Sequence, residues 1–168
     1  MSAGGFGWSK IVSSSVGDVA FGIASTQDYG YIVTGYYNAN NLIAIKYDMH
    51  GTKQWQKIFQ GASGSIQGRA AVSSTAKGDI IVGFTNSKNG DIIAADGSDD
   101  MFVLRLDDAN GNKISANVLG GKASDKGMAV IANAEDGTFV SAGNTASNNG
   151  DVSGNHGLND FWVVKFKF

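Results

Sequence analysis

Short apolar runs punctuate the chain at regular intervals. Three of them, Tyr31-Ile32-Val33-Thr34-Gly35, Asp79-Ile80-Ile81-Val82-Gly83 and Phe139-Val140-Ser141-Ala142-Gly143, end on a glycine, and these glycines stand 48 and 60 residues apart. A second set follows them: Leu42-Ile43-Ala44-Ile45-Lys46-Tyr47, Met101-Phe102-Val103-Leu104-Arg105-Leu106 and Phe161-Trp162-Val163-Val164-Lys165-Phe166, each broken by one cation at the same place. Runs this short and this apolar predict strands that are largely buried, with the cation near the strand end and its stem along apolar surface. Weaker runs of small alternating residues precede the glycine-bearing strands, at 20–25, 70–75 and 128–133. Two more, at 52–59 and 112–119, follow the turns Asp48-Met49-His50-Gly51 and Asp108-Ala109-Asn110-Gly111, whose glycines supply the positive φ of a tight reversal.

Self-similarity at this period is the mark of propeller blades and related arrays. The pattern predicts an all-β fold of three four-stranded units, roughly 14–59, 60–119 and 120–168, the last ending after its third strand. Gly7-Trp8-Ser9-Lys10-Ile11 matches Gln54-Trp55-Gln56-Lys57-Ile58, so residues 6–13 are expected to be the fourth strand of the last unit, displaced to the front. A displaced terminal strand covers an otherwise exposed sheet edge. Three blades are fewer than the typical four to eight, so the expected arrangement is a six-bladed propeller made by two chains head to tail, each donating its first strand. A three-sided β-prism closed within one chain and a piece of a longer propeller are the alternatives.

Composition narrows the setting. The 168 residues suffice for one core, and 42% hydrophobic against only 17% charged residues, with 24 glycines and no proline, suits many short strands joined by Gly, Asn and Asp turns. A net charge of −2 with 13 scattered basic residues argues against a nucleic-acid partner. No apolar run is long enough for a membrane span, and residues 1–5 lack the charged and apolar regions of a signal peptide. With no cysteine there is no disulfide, thiolate metal site or cysteine nucleophile.

Trp55-Gln56-Lys57, Gly120-Gly121, Asp125, Asp136-Gly137, the loop Gly150-Asp151-Val152-Ser153-Gly154-Asn155-His156-Gly157 and Asp160-Phe161-Trp162-Val163-Val164-Lys165 resemble the tandem propeller-like repeats of large secreted and cell-surface proteins of bacteria. The first repeat lacks the Gly-Asp-Val loop, and Ser115 stands where a tryptophan is expected. The resemblance implies a propeller fold, an extracellular or cell-surface setting, and a binding or scaffolding role with no catalytic residues.

Two candidate sites come from the residues themselves. Asp151, Ser153 and Asn155 place oxygen-bearing side chains alternately in a glycine-rich loop, a spacing that suits calcium; the competing reading is that Asp and Asn here bond their own backbone turns. A similar loop runs from Asn89-Gly90-Asp91 through Asp96-Gly97 to Asp100. Tyr36 and Tyr37, followed by Asn38, Asn40 and Asn41, offer ring faces beside amides, as carbohydrate recognition requires. Neither His50 nor His156 sits in a nucleophilic triad pattern, and Asp100 and Asp160 occupy equivalent strand starts, where a turn role is expected. The functional expectation is a non-enzymatic binding or self-assembly module whose first partner is itself, with a glycan or surface protein as a further partner. A lectin is the alternative, and a propeller hydrolase using Asp catalysis a second one.

Overall fold

The computed structural model describes residues 7–74, 77–95 and 98–168; Thr75, Asp96, Gly97 and the opening residues through Phe6, which carry parts of the strand, loop and leader expectations, lie outside them. The described residues contain no helix, so none is long and apolar enough to cross a membrane. They form eleven strands in three antiparallel sheets and no closed barrel.

The first sheet is β1 (Val19–Ser25), β2 (Tyr31–Tyr37), β3 (Asn41–Tyr47) and β4 (Lys53–Phe59), paired in chain order. The second is β5 (Ile66–Ser74), β6 (Gly78–Thr85), β7 (Asp100–Leu106) and β8 (Lys113–Leu119) in the same order. The third holds β9 (Asp125–Asn133), β10 (Thr138–Thr145) and β11 (Asp160–Phe166). Residues 7–18 form no strand. They do not join the third sheet of their own chain, so β11 is an edge strand here rather than being completed in cis.

The sheets stack face to face in a row, with β5 packed against both β1 and β9. Because side chains alternate across a strand, the middle sheet serves two cores at once. Ile81, Phe102, Leu104 and Leu106 point toward the first sheet and meet Ile32, Leu42 and Ala44. Ile80, Val82, Met101 and Val103 point toward the third and meet Val130 and Phe139, with Trp162, Val164 and Phe166 behind them. The continuous apolar runs of β6 and β7 are therefore what burial on both faces demands.

The periodic glycines have a steric cause. Each first strand carries a bulge where it pairs with the second, between Ala20 and Gly22, between Gly68 and Ala70, and opposite the Ala142–Gly143 step. The bulge drives a carbonyl onto the partner strand, so a Cβ on Gly35, Gly83 or Gly143 would overlap the carbonyl oxygen of Val19, Gln67 or Lys126.

Candidate functional site

The row of sheets has two ends, and both are apolar. On the third sheet Phe161 is 96% and Val163 65% exposed, flanked by exposed Met128 and Ile131 of β9. The counterparts of Phe161 are Leu42 and Met101, at 0% and 1% exposure, and those of Val163 are the equally buried Ala44 and Val103. In the first two sheets this face is covered by the next sheet. The third sheet thus presents to solvent a surface of the kind its neighbours bury.

The opposite end is the outer face of the first sheet. Val33, Ile43, Ile45 and Tyr47 occupy the places that Ile81, Phe102, Leu104 and Leu106 fill in the second sheet, where those residues are core. They line a groove of about 400 Å³ together with Val19, Ile23, Tyr36 and Tyr37. Part of this face is roofed by the N-terminal segment, with Val12 packed against Ile43, Ile45 and Tyr47. Asp18 tethers the segment, its carboxylate accepting from the Ser14 hydroxyl (2.7 Å) and from the backbone N–H of Asn38 (2.9 Å).

Trp8 lies in a seat that has a duplicate elsewhere in the molecule. Its ring centroid is 5.9 Å from those of Tyr31 and Tyr47, its indole N–H donates to the Met49 carbonyl at 3.3 Å, and a Cβ on Gly51 would fall 2.7 Å from the ring. Trp55 on β4 reaches from the first sheet to the second in the same manner. Its indole N–H donates to the Asp108 carbonyl at 2.9 Å, and a Cβ on Gly111 would fall 2.6 Å from its ring. Met49 and Gly51 belong to the turn after β3, Asp108 and Gly111 to the turn after β7. Each tryptophan therefore caps the third-to-fourth-strand turn of the sheet that follows it, and glycine at φ +79° or +71° keeps the turn clear of the indole.

Charges mark the seam between the first two sheets. The buried Lys46 ammonium pairs with Asp28 of its own sheet at 2.9 Å and with Asp108 of the next. The Asp28 carboxyl is held down to about 2 by its hydrogen bonds from Thr26 and Lys46. Burial alone would lower the Lys46 value, but the two carboxylates outweigh it and raise it. On the inner side, the Arg69 guanidinium lies 3.9 Å from the Phe21 ring centroid, bridging first strands of adjacent sheets.

The residues singled out as a carbohydrate site divide. Tyr36 and Tyr37 end β2 and both line the outer groove, whereas Asn38 and Ala39 form the following turn at positive φ, and Asn40 and Asn41 hold the next connection. The Asn40 carbonyl accepts from Ile66 N–H and the Asn41 side chain from Gly61 N–H, so these two brace the loop leading to β5.

In the glycine-rich loop the Asp151 carboxylate accepts from Gly120 N–H at 3.1 Å. The Asn155 amide donates to the Thr145 carbonyl, and its oxygen accepts from Gly157 N–H. Ser153 is exposed. Among the described residues no three His, Cys, Asp or Glu side chains are gathered as a metal set. Asp100 and Asp160, at the starts of β7 and β11, accept from the backbone N–H groups of Ala95 and His156.

Sequence patterning missed how completely one carboxylate is enclosed. Buried Asp125 accepts from the hydroxyls of Thr145 and Ser147 and from Gly121 N–H, tying β9 to the connection after β10. The small hydroxyl residues after Gly143 were the available signal. No protein-family model matches the chain, and no curated protein matches its sequence.

Proposed function

We propose that the chain is a non-enzymatic self-assembly module in which the bare face of the third sheet docks on the outer face of the first sheet of a second copy. The exposure of Phe161 and Val163, at positions whose counterparts are buried between sheets, carries this reading. The contact is head to tail, and two copies joined by two such contacts close into a ring of six sheets, a six-bladed β-propeller with two-fold symmetry. The open row of sheets, with β5 between β1 and β9, supports a propeller-like arrangement over a prism, in which all three sheets face one another.

Light scattering over a range of concentrations tests the proposal. The wild type is expected at twice the chain mass. Phe161→Asp should run at the mass of one chain with an unchanged β-sheet spectrum, because the side chain is solvated in a single copy but its charge would be desolvated in the junction, weakening association by about 100-fold or more. A wild type that stays at one chain mass at every concentration removes the proposal.

Carbohydrate recognition by Tyr36 and Tyr37 would draw on the same groove that the second copy covers, so glycan binding and assembly would compete. An exported setting and a surface-protein partner rest on the family resemblance and not on this geometry.

A further inference from the structure

We infer that residues 8–12 act as a donated strand, pairing with β11 of a second copy in a defined register while Trp8 keeps the seat it already occupies. The inference rests on the head-to-tail reading above and specifies how the junction is sealed.

The two tryptophan seats are equivalent in the sheets they cap. Trp55 caps the Asp108–Gly111 turn from β4, the outermost strand of the sheet preceding that turn. Trp8 caps the Met49–Gly51 turn with the same indole N–H to carbonyl bond and the same contact over a glycine. Its backbone therefore runs where the fourth strand of a sheet preceding the first one would run. In the head-to-tail pair that sheet is the third sheet of the second copy, which ends on β11.

The side chains around Trp8 already alternate as a strand in that place would require. Trp55 and Phe59 of β4 are buried toward the next sheet, while Ile58 between them points away and is exposed. In the N-terminal segment Trp8 and Val12 pack on the first sheet, while Ile11 is 92% exposed. Among the described residues this segment has no ladder partner, and its in-and-out pattern leaves backbone groups available for one. The outer edge of β11 offers a matching row, and a seven-residue apolar strand with an open edge is a ready template for strand addition.

The register follows from the first sheet, where Lys46 faces Trp55, Ala44 faces Lys57, Ile43 faces Ile58 and Leu42 faces Phe59. Transposed, Trp8 faces Lys165 of the second copy, Lys10 faces Val163, Ile11 faces Trp162 and Val12 faces Phe161. Ile11, bare in one chain, then lies on the side of Trp162 and Val164, the side that is buried against the second sheet.

Cysteine cross-linking reads this register, because the chain contains no cysteine of its own. Directly opposed residues of an antiparallel pair bring Cα atoms to about 4.5–5.5 Å, within disulfide range. Lys10→Cys and Val163→Cys chains, each made separately and mixed, should give a covalent dimer containing one of each on mild oxidation. A mixture of Lys10→Cys with Val164→Cys, whose side chain points to the other face, should give at least about tenfold less. A wild type of twice the chain mass without the in-register cross-link overturns strand donation but leaves the docking of faces standing. A wild type of one chain mass overturns both. A Lys10→Cys/Val163→Cys double variant that oxidises wholly within one chain means closure in cis and also overturns the inference. Should either substitution impair folding, amide hydrogen exchange of wild-type β11 decides: its protection should rise with protein concentration, and protection independent of concentration counts against donation.

Discussion

Asp79 is the residue at which burial and charge are most opposed. It is the second residue of β6 and fully buried, and loss of hydration pushes its carboxyl up to about 6, helped by the nearby Asp108 and Asp28 charges and resisted by the Ser73 hydroxyl and Lys46. Because the folded value lies above the unfolded one, Asp79 carries no ionisation penalty below about pH 4. Its ionisation penalty then grows until about pH 6 and stays constant above, amounting to about 3 kcal/mol at neutral pH. Across that window Asp28, held near 2, and Lys46, raised, keep their charges. Asp79→Asn should therefore raise the denaturation midpoint at pH 7.5 and lose that advantage at pH 4. Paired urea titrations at the two pH values check it, and an advantage equal at both would mean burial is not the cause. The identity of Asp79 was plain in the repeat pattern, but its burial was not, since an Asp before an apolar run is also the pattern of an exposed hairpin turn.

At the level of elements, the two tryptophans make parallel contacts with different consequences. Trp55 joins two sheets of one chain, so Trp55→Ala opens a cavity at the seam and leaves a turn carbonyl without its donor. A loss of about 3–5 kcal/mol in folding stability is expected. Trp8→Ala should cost much less stability in a single copy, because its seat is half open and its segment carries no ladder. It should instead weaken self-association by at least about tenfold. Chemical denaturation of each variant, together with sedimentation of Trp8→Ala, separates the two effects. Equal losses of folding stability would mean that Trp8 serves the monomer alone. The equivalence of these residues was legible in Gly7-Trp8-Ser9-Lys10-Ile11 against Gln54-Trp55-Gln56-Lys57-Ile58; the acceptors Met49 and Asp108 were not, because they come from another element. Strand limits moved for a similar reason. The third sheet's first strand begins at Asp125 rather than 128, since the bulge lets pairing continue past Gly127.

For the whole molecule, the open row leaves an apolar face at each end, and its thermal behaviour should reflect that. A dimer that binds only in the folded state melts at a temperature that climbs with protein concentration. A 100-fold increase should raise the midpoint by several degrees for the wild type and leave Phe161→Asp unmoved; a concentration-independent wild type contradicts the assembly. Period-two apolar patterning and left-handed glycines are local constraints, so the all-β class, the 59- and 60-residue spacing of the cation-bearing strands and the turns between strands were legible along the chain. Tertiary contacts alone set which carbonyl forbids a Cβ at Gly83, that Asp151 and Asn155 hold backbone groups, and that Trp8 caps the first sheet rather than joining the third of its own chain. Those facts depend on which sheet lies against which, and stacking of faces is a contact between residues far apart in the chain that no local pattern encodes.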